Sequence, residues 1–477
     1  MRAYAARGAA IASCLVLSGD GEVLASGTVA EVLEVVAQAE LQIYTLDSAL
    51  LTEVCDAYVA AGHFAQLDIS LRGSARGTAP QMLGIRRTGW PASWRDLGCL
   101  VPDNDTEATA AGLGLQLPGS LAPAADQAVA LADFGEQWLS WLEAELGCAP
   151  GVTLASTAAK LGIPRLWRDA FRARARFSAE QLQVTQLAEQ AYYGGRVTCR
   201  QPGWSGDAVE YDLRSAYGWA LTQPLPDWKG YARKPWHTGP AWYDCTVDTS
   251  CAVLGPLPAR DPRNPARLSY PRAERLRGTW TRDELDRAGV RVVEVHAVGA
   301  GRWSRDLAPM VELWLQRRED AGADPLRRAL YRFLPNALAG KLVQRSTAWV
   351  LWPGRSDQIP PDGAIPLGLA SSLWAVPVVS ARQPVTCPQA GSYVTSLVRS
   401  RVWPELQRHD ALYSDTDSIH LPASAPPPAG MGDHAGQWSR KEAGPACYVG
   451  LKHYKIGAKV VKPPFAANQF LQDEPAG

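Results

Sequence analysis

The sequence predicts a multidomain fold of mixed α/β and α+β class, on three observations. Its 477 residues exceed what one hydrophobic core usually organises. Charge is unevenly shared: residues 1–190 carry 13 Lys and Arg against 21 Asp and Glu, and the remainder carries 35 against 27, so a chain of zero formal charge has an acidic first part and a basic second part. The hydrophobic texture also changes near residue 191, from alternating strand and helix patterns to short strands interleaved with tryptophan and arginine. A composition of 46% hydrophobic and 20% charged residues excludes a disordered polymer. No run approaches the ~20 apolar residues of a membrane span. The nine cysteines are scattered and show no CxxC or zinc-ligand spacing, which predicts reduced, buried thiols in a cytoplasmic protein.

Within residues 1–150 the elements follow in order. Residues 11–18 and 22–27 read as strands around the Gly19-Asp20-Gly21 turn, residues 30–40 as a helix, 41–46 as a strand and 49–62 as a second helix. Such alternation fits a layered sheet. After the glycine and proline punctuation of residues 113–124, Val129, Leu131, Phe134, Trp138 and Leu142 recur at helical spacing and predict a long amphipathic helix. Residues 151–190 read as a helical connector. From 191 onward short elements alternate with Pro-rich loops at 357–366 and 422–429, and no internal repeat is present.

The segment Ala411 to Leu421 encloses Asp415-Thr416-Asp417 between strand-like apolar flanks. Carboxylates are poor strand residues and destabilise a hairpin unless a turn or a cation uses them. Oxygen-only ligands suit Mg²⁺, which takes one or two carboxylates plus substrate phosphates; an Asp-Thr-Asp turn without metal fits the same letters. Asp212 follows a second strand-like run, Val209-Glu210-Tyr211, and two carboxylates from separate strands are what in-line phosphoryl transfer by paired metals requires. Tyr217 fits the floor of a sugar pocket or an ordinary core position beside Trp219. In the helix-like stretch 325–345, Arg328, Arg332 and Asn336 recur at i, i+4 and i+8, which puts them on one face able to hold a triphosphate or simply to be solvated. Pro335 is expected to kink that helix.

The order of these motifs resembles family B DNA polymerases, most closely the protein-primed type of bacteriophages and linear elements. Tyr192-Tyr193-Gly194-Gly195 is similar to the YxGG segment, Asp212 to Tyr217 to motif A, Asn336 to Lys341 to motif B, Tyr413 to Ser418 to motif C, and Lys452-His453-Tyr454 to the KxY motif. The resemblance implies an RNase H-like exonuclease-type domain in residues 1–150, the connector at 151–190, a palm with antiparallel sheet and helical fingers in 191–440, and a reduced thumb in 441–477. It implies template-directed DNA synthesis from dNTPs, with Asp212 and Asp417 holding two Mg²⁺ ions, for which Mn²⁺ is a substitute, and Asp415 as a supporting catalytic carboxylate. Tyr217 becomes a gate against ribonucleotides. Arg328, Arg332 and Asn336 become nucleotide contacts, and Tyr192, Gly194, Gly195, Lys452 and Tyr454 become contacts to primer-template DNA. A terminal priming protein or a processivity factor is the implied partner, in a bacterial, viral or plasmid setting.

Departures from the pattern carry their own expectations. Arg332 replaces a lysine and exchanges a compact ammonium for a planar fork. Ala339 replaces a tyrosine, which implies a roomier pocket or one rebuilt with tryptophan. The exonuclease carboxylates are largely missing: the first strand carries no Asp-x-Glu, the one such triplet in residues 1–30, Asp20-Gly21-Glu22, falling in the predicted turn; the second motif falls on Thr45 and Ala49, and the third keeps only Asp133. Loss of proofreading is expected, with a pairing of Asp47 and Asp133 as the alternative. Lys452, Lys455, Lys459 and Lys462 are candidate phosphate contacts. Untemplated or self-priming nucleotidyl transfer, or an idle nucleic-acid-binding relative, are the competing functions.

Overall fold

The strand and helix alternation expected of the N-terminal part is present in the computed structural model, which describes residues 1–7, 13–72, 81–118, 123–172, 177–228, 239–261, 264–344, 347–354, 359–366, 373–379, 386–408 and 411–461. The chain divides into two compact units. The first comprises Met1–Leu161, Arg317–Ala337 and Arg345–Pro384, and the second Gly162–Gln316, Leu338–Gln344 and Val385–Gly477.

In the first unit, β1 (Arg2–Arg7), β2 (Ser13–Ser18), β3 (Val23–Thr28), β4 (Gln42–Thr45), β5 (Leu67–Arg72), β6 (Gln81–Arg87) and β7 (Ser93–Asp96) form one sheet in the order β3-β2-β1-β4-β7-β6-β5. β4 runs parallel to β1 and β7, and the other pairs are antiparallel. Helices Val29–Val36 and Ser48–Ala60 bury Val32, Leu50 and Val54 with Ala3, Ala5, Ile43 and Trp94. Thr28 starts the first of them with a capping box to Glu31, as a Thr-x-x-Glu sequence should. Side chains alternate across a strand, so Tyr4 points away from Ala3 and Ala5. It meets helix Ala124–Leu146, where its hydroxyl donates to Glu136 over 2.9 Å. Leu131, Phe134, Trp138 and Leu142 of that helix are buried, whereas Val129 is exposed: two residues before Leu131 it falls off the stripe.

The second unit is built on a seven-stranded antiparallel sheet. Its strands are Arg196–Cys199, Ser205–Leu213, Tyr413–Thr416, Ser418–Pro422, Trp438–Gly450, His453–Ile456 and Lys459–Val461. The Ser205–Leu213 strand lies between Ser418–Pro422 and Trp438–Gly450. A second, three-stranded sheet has Ala241–Asp248 between Leu276–Thr281 and Arg291–Ala300. Helix Pro388–Arg408 is tied to it by polar contacts in the interior: Trp242 Nε1 donates to Ser392 Oγ at 2.9 Å, and the Tyr393 hydroxyl bonds both the N–H and the carbonyl of Ala241 at 2.7 and 3.1 Å. Helix Pro325–Leu342 continues through Pro335 rather than ending there. Among the described residues no helix is long and apolar enough to cross a membrane. None of the nine cysteines is in a disulfide.

Gly135 marks the closest approach of helix to sheet in the first unit, since a Cβ there would lie 2.1 Å from Tyr4 Cε1. Gly135→Ala is expected to destabilise the protein by about 1–3 kcal/mol through overpacking, despite alanine's better helix propensity. A urea melt checks this; an unchanged or raised midpoint contradicts it.

Candidate active site

Asp212 and Asp417 are brought onto neighbouring strands by the sheet register. Asp212 is paired with Ser418, and the Leu213 N–H donates to the Asp417 carbonyl over 2.8 Å. Between the two hairpin strands Thr416 turns the chain with φ 63°, and the Asp417 N–H closes onto the Asp415 carbonyl at 2.8 Å. The Asp-Thr-Asp segment is therefore both a turn and a carboxylate cluster. The turn is possible because the neighbouring chain yields space: a Cβ on Gly195 would come 2.4 Å from Thr416 Cγ2. Arg196, next in sequence, is the strand partner of Thr416.

Burial, and then the negative charges of Asp212 and Asp415, push the Asp417 carboxyl up to about 7. Lys441 approaches Asp212 only to 4.0 Å, and no group of three or more His, Cys, Asp or Glu is assembled among the described residues. Asp212 and Asp417 are an oxygen-only pair whose mutual repulsion a divalent cation would relieve, which suits Mg²⁺ with its remaining positions left to water and phosphate.

Asp415 is differently engaged. Lys452 Nζ lies 2.5 Å from each of its carboxylate oxygens, and the Lys452 N–H donates to the Tyr413 hydroxyl at 2.7 Å. Lys452 holds the left-handed φ of 55° that this docking requires. Beneath it Tyr413, Tyr448, Tyr454 and His420 form an aromatic cluster, with Tyr413 4.7 Å from Tyr454 and stacked on Tyr448 at 5.5 Å. Tyr454 is buried in this cluster, so it supports the Lys452 turn from below. Lys459 is paired with buried Glu210 at 2.6 Å instead of facing outward, and Lys462 lies outside the described residues. Burial, followed by the charge of Lys459, lowers His420 to about 3, and its Nδ1 is 3.0 Å from the Tyr448 hydroxyl.

Tyr192 to Gly195 is pinned from behind by Arg399, which sequence reading did not single out. Its Nη1 donates to the carbonyls of Tyr193 and Gly194 at 2.6 and 2.9 Å, while Nε and Nη2 form a two-pronged pair with Glu284 at 2.7 and 3.0 Å. Arg260 donates to the Tyr192 carbonyl and stacks on Tyr193. Tyr217 sits on the first turn of helix Ala216–Thr222, entered through Ser215 at φ 47°. Burial, then the charge of Asp417, raises its hydroxyl to about 12, and Tyr192 and Arg399 are near enough to contribute. An arginine flanked by apolar and small residues, in Leu397-Val398-Arg399-Ser400-Arg401, is the sequence signal that could have found this clamp.

Arg328, Arg332 and Asn336 share one exposed helix face, as their spacing requires, and belong to the first unit, where Arg332 forms an ion pair with Asp103. In that unit Arg7 stands on β1, the strand where Asp-x-Glu is missing. Its guanidinium reaches Asp47 at 3.1 Å and Glu53 at 2.6 Å. The other Asp47 oxygen caps helix Ser48–Ala60 by accepting from Ala49 and Leu50. Asp133 is exposed and accepts from Gln137 at 2.6 Å. Asp47 and Asp133 thus have separate partners, Arg7 and Gln137.

No protein-family model matches the chain, and no curated protein sequence does. Solved structures do. Phi29 DNA polymerase complexed with primer-template DNA and incoming nucleotides matches with a TM-score of 0.71 at 15% identity, over 97% of this chain and 89% of the other. The same enzyme bound to primer-template DNA alone gives 0.70 at 14% identity over 97% and 90%, and bound to single-stranded DNA 0.68 at 14% over 97% and 89%. The fold is that of phi29 DNA polymerase. The mixed multidomain class expected from the sequence is thus the one present, and the carboxylate strands lie within a phi29-like architecture.

Two consequences concern stability. His420 is neutral when folded, and the unfolded chain takes up its proton near pH 6.5. Below that pH the unfolded state binds more protons, so stability is full above about 6.5 and falls as pH drops toward 3. His420→Gln should flatten this fall between pH 6.5 and 5 in chemical denaturation, and an unchanged slope contradicts the assignment. Arg399→Met leaves Glu284 buried without its partner and should cost about 3–5 kcal/mol; a double change with Glu284→Gln should recover part of that loss.

Proposed function

We propose that the chain is a template-directed DNA polymerase that adds nucleotides from dNTPs to a primer end. The observation that carries this reading is the convergence of Asp212 and Asp417 on adjacent strands of a phi29-like fold, with Asp417 raised to about 7 by burial and like charge. Asp212 and Asp417 would hold Mg²⁺, or Mn²⁺ in its place. When bound, such ions activate a 3′-hydroxyl and neutralise a triphosphate and departing pyrophosphate. Lys452, oriented by Asp415 and the Tyr413 hydroxyl, offers an ammonium to the primer end. Tyr217 closes the sugar side against a 2′-hydroxyl, and the Tyr192 to Gly195 turn, held by Arg399, carries the template strand. Arg328, Arg332 and Asn336 give the first unit an exposed helix face suited to phosphate, on which Arg332 is paired with the Asp103 carboxylate. Protein priming, a terminal protein and a processivity partner belong to this reading through the order of the sequence motifs.

Proofreading is absent in this reading. Arg7 supplies inside the protein the positive charge that metal ions would bring, and Asp47 and Glu53 are committed to it.

Purified protein, Mg²⁺, dNTPs and a labelled primer on a defined template test the proposal, beside a lane without template. Template-dependent extension is expected, with a mismatched 3′ end left uncut; extension without template favours an untemplated transferase, and shortening of the primer contradicts the loss of proofreading. Asp417→Asn should reduce incorporation by a thousandfold or more, on the order of 4 kcal/mol in the barrier. The same change should abolish the rise in melting temperature that Mg²⁺ or Ca²⁺ gives the wild type. Equal metal stabilisation in both proteins would sink the assignment of the ligands.

A further inference from the structure

A cavity of about 830 Å³ opens in the second unit among helices Ala216–Thr222, Arg282–Ala288 and Pro388–Arg408 and the short strand Trp303–Ser304. It is separate from the carboxylate pair and has no part in the proposed function. Its volume lies within the roughly 300–1,000 Å³ usual for small-molecule sites.

Two indoles line it, and both are held in place by other parts of the protein. Trp303 stands edge-on to Tyr393, with ring centres 5.3 Å apart at 89°, and Tyr393 is itself fixed through its two bonds to Ala241. Trp303 nonetheless remains 38% exposed, an unusual state for a preorganised tryptophan. Trp219 abuts Gly436, where a Cβ would come 2.3 Å from its Cδ1, so the ring is backed by main chain on that side.

The polar lining is short of partners. Ser400 is 6% exposed, and its hydroxyl has no hydrogen bond among the described residues. Leaving such a group unpaired costs about 1–3 kcal/mol, so a bound molecule that supplies the missing bond is favoured. Asp283, Arg287 and Arg401 also line the cavity, and among the described residues none makes a side-chain hydrogen bond or close ion pair. Asp286 lines it as well but is paired with Arg282 at 3.2 Å, so the lining offers flat apolar surfaces for stacking, the Asp283 carboxylate for N–H donors, and two guanidiniums for an anion.

We propose that this cavity binds a nucleoside monophosphate: a planar heteroaromatic base stacked on the indoles, with its N–H edge toward Asp283 and its phosphate toward Arg401 and Arg287. Stacking on an indole tolerates any base, while the carboxylate favours one with adjacent N–H donors, as in guanine. The site is a reversible binding site, without chemistry of its own.

Isothermal titration of GMP and AMP into the full-length protein in EDTA tests the proposal, because chelation removes metal-dependent nucleotide binding at the carboxylate pair. One saturable site is expected, tighter for GMP. Arg401→Glu and Trp303→Ala should each weaken it on the order of tenfold or more, with circular dichroism confirming that both variants fold. Ser400→Ala should weaken it less. Absence of GMP and AMP binding up to millimolar concentration, or binding that Arg401→Glu leaves unchanged, would overturn the proposal, whether or not the protein extends a primer.

Discussion

Two like charges brought together by the sheet register, Asp212 and Asp417, are the constraint around which the second unit is arranged, and their repulsion adds to burial in raising Asp417. In a site of reduced dielectric such like charges repel by kilocalories per mole. A sheet would relax that repulsion by twisting or slipping, yet a one-residue slip would move every buried side chain to the wrong face. The aromatic cluster of Tyr413, Tyr448, Tyr454 and His420 resists such a slip from below, and the Glu210 and Lys459 pair ties the central strand to the outermost one. Among the described non-glycine residues of the second unit, positive φ is confined to Ser215, Thr416 and Lys452, close in sequence or in contact with Asp212, Asp415 and Asp417. Rigid packing thus holds a geometry that electrostatics alone would open.

The motifs that sequence reading could locate are those whose residue types are costly anywhere else. Asp415-Thr416-Asp417 inside apolar flanks announces itself because nothing structural calls for two acids in a strand. The role of Gly195 was legible only as part of a motif; its physical reason, space for Thr416, depends on a residue more than 200 positions away. Arg399 and Glu284 escaped notice for the same reason. Each alone reads as an ordinary helical residue, and only the fold reveals that they bury against one another and against two backbone carbonyls. Lys459 looked like a surface lysine and is the partner of a buried acid. Local patterning fails wherever a side chain's partner is far along the chain.

Periodicity performed well where one element meets one core, and less well where the stripe is narrow. The strands and helices of residues 13–60 followed their patterns, whereas Val129 was counted with a helix face from which it lies about half a turn away. Pro335 lies inside helix Pro325–Leu342, flanked by the buried side chains of Leu330, Tyr331, Leu334 and Leu338.

Arg7 has a consequence for the history open to this chain. A guanidinium bonded to Asp47 and Glu53 makes the first unit self-sufficient, needing no ion from solution to balance those acids. Replacing Arg7 by an acid would place three uncompensated carboxylates together while Asp47 still caps its helix. The arginine is in this sense a built-in counterion, and the acids it serves can be kept or lost only together with it.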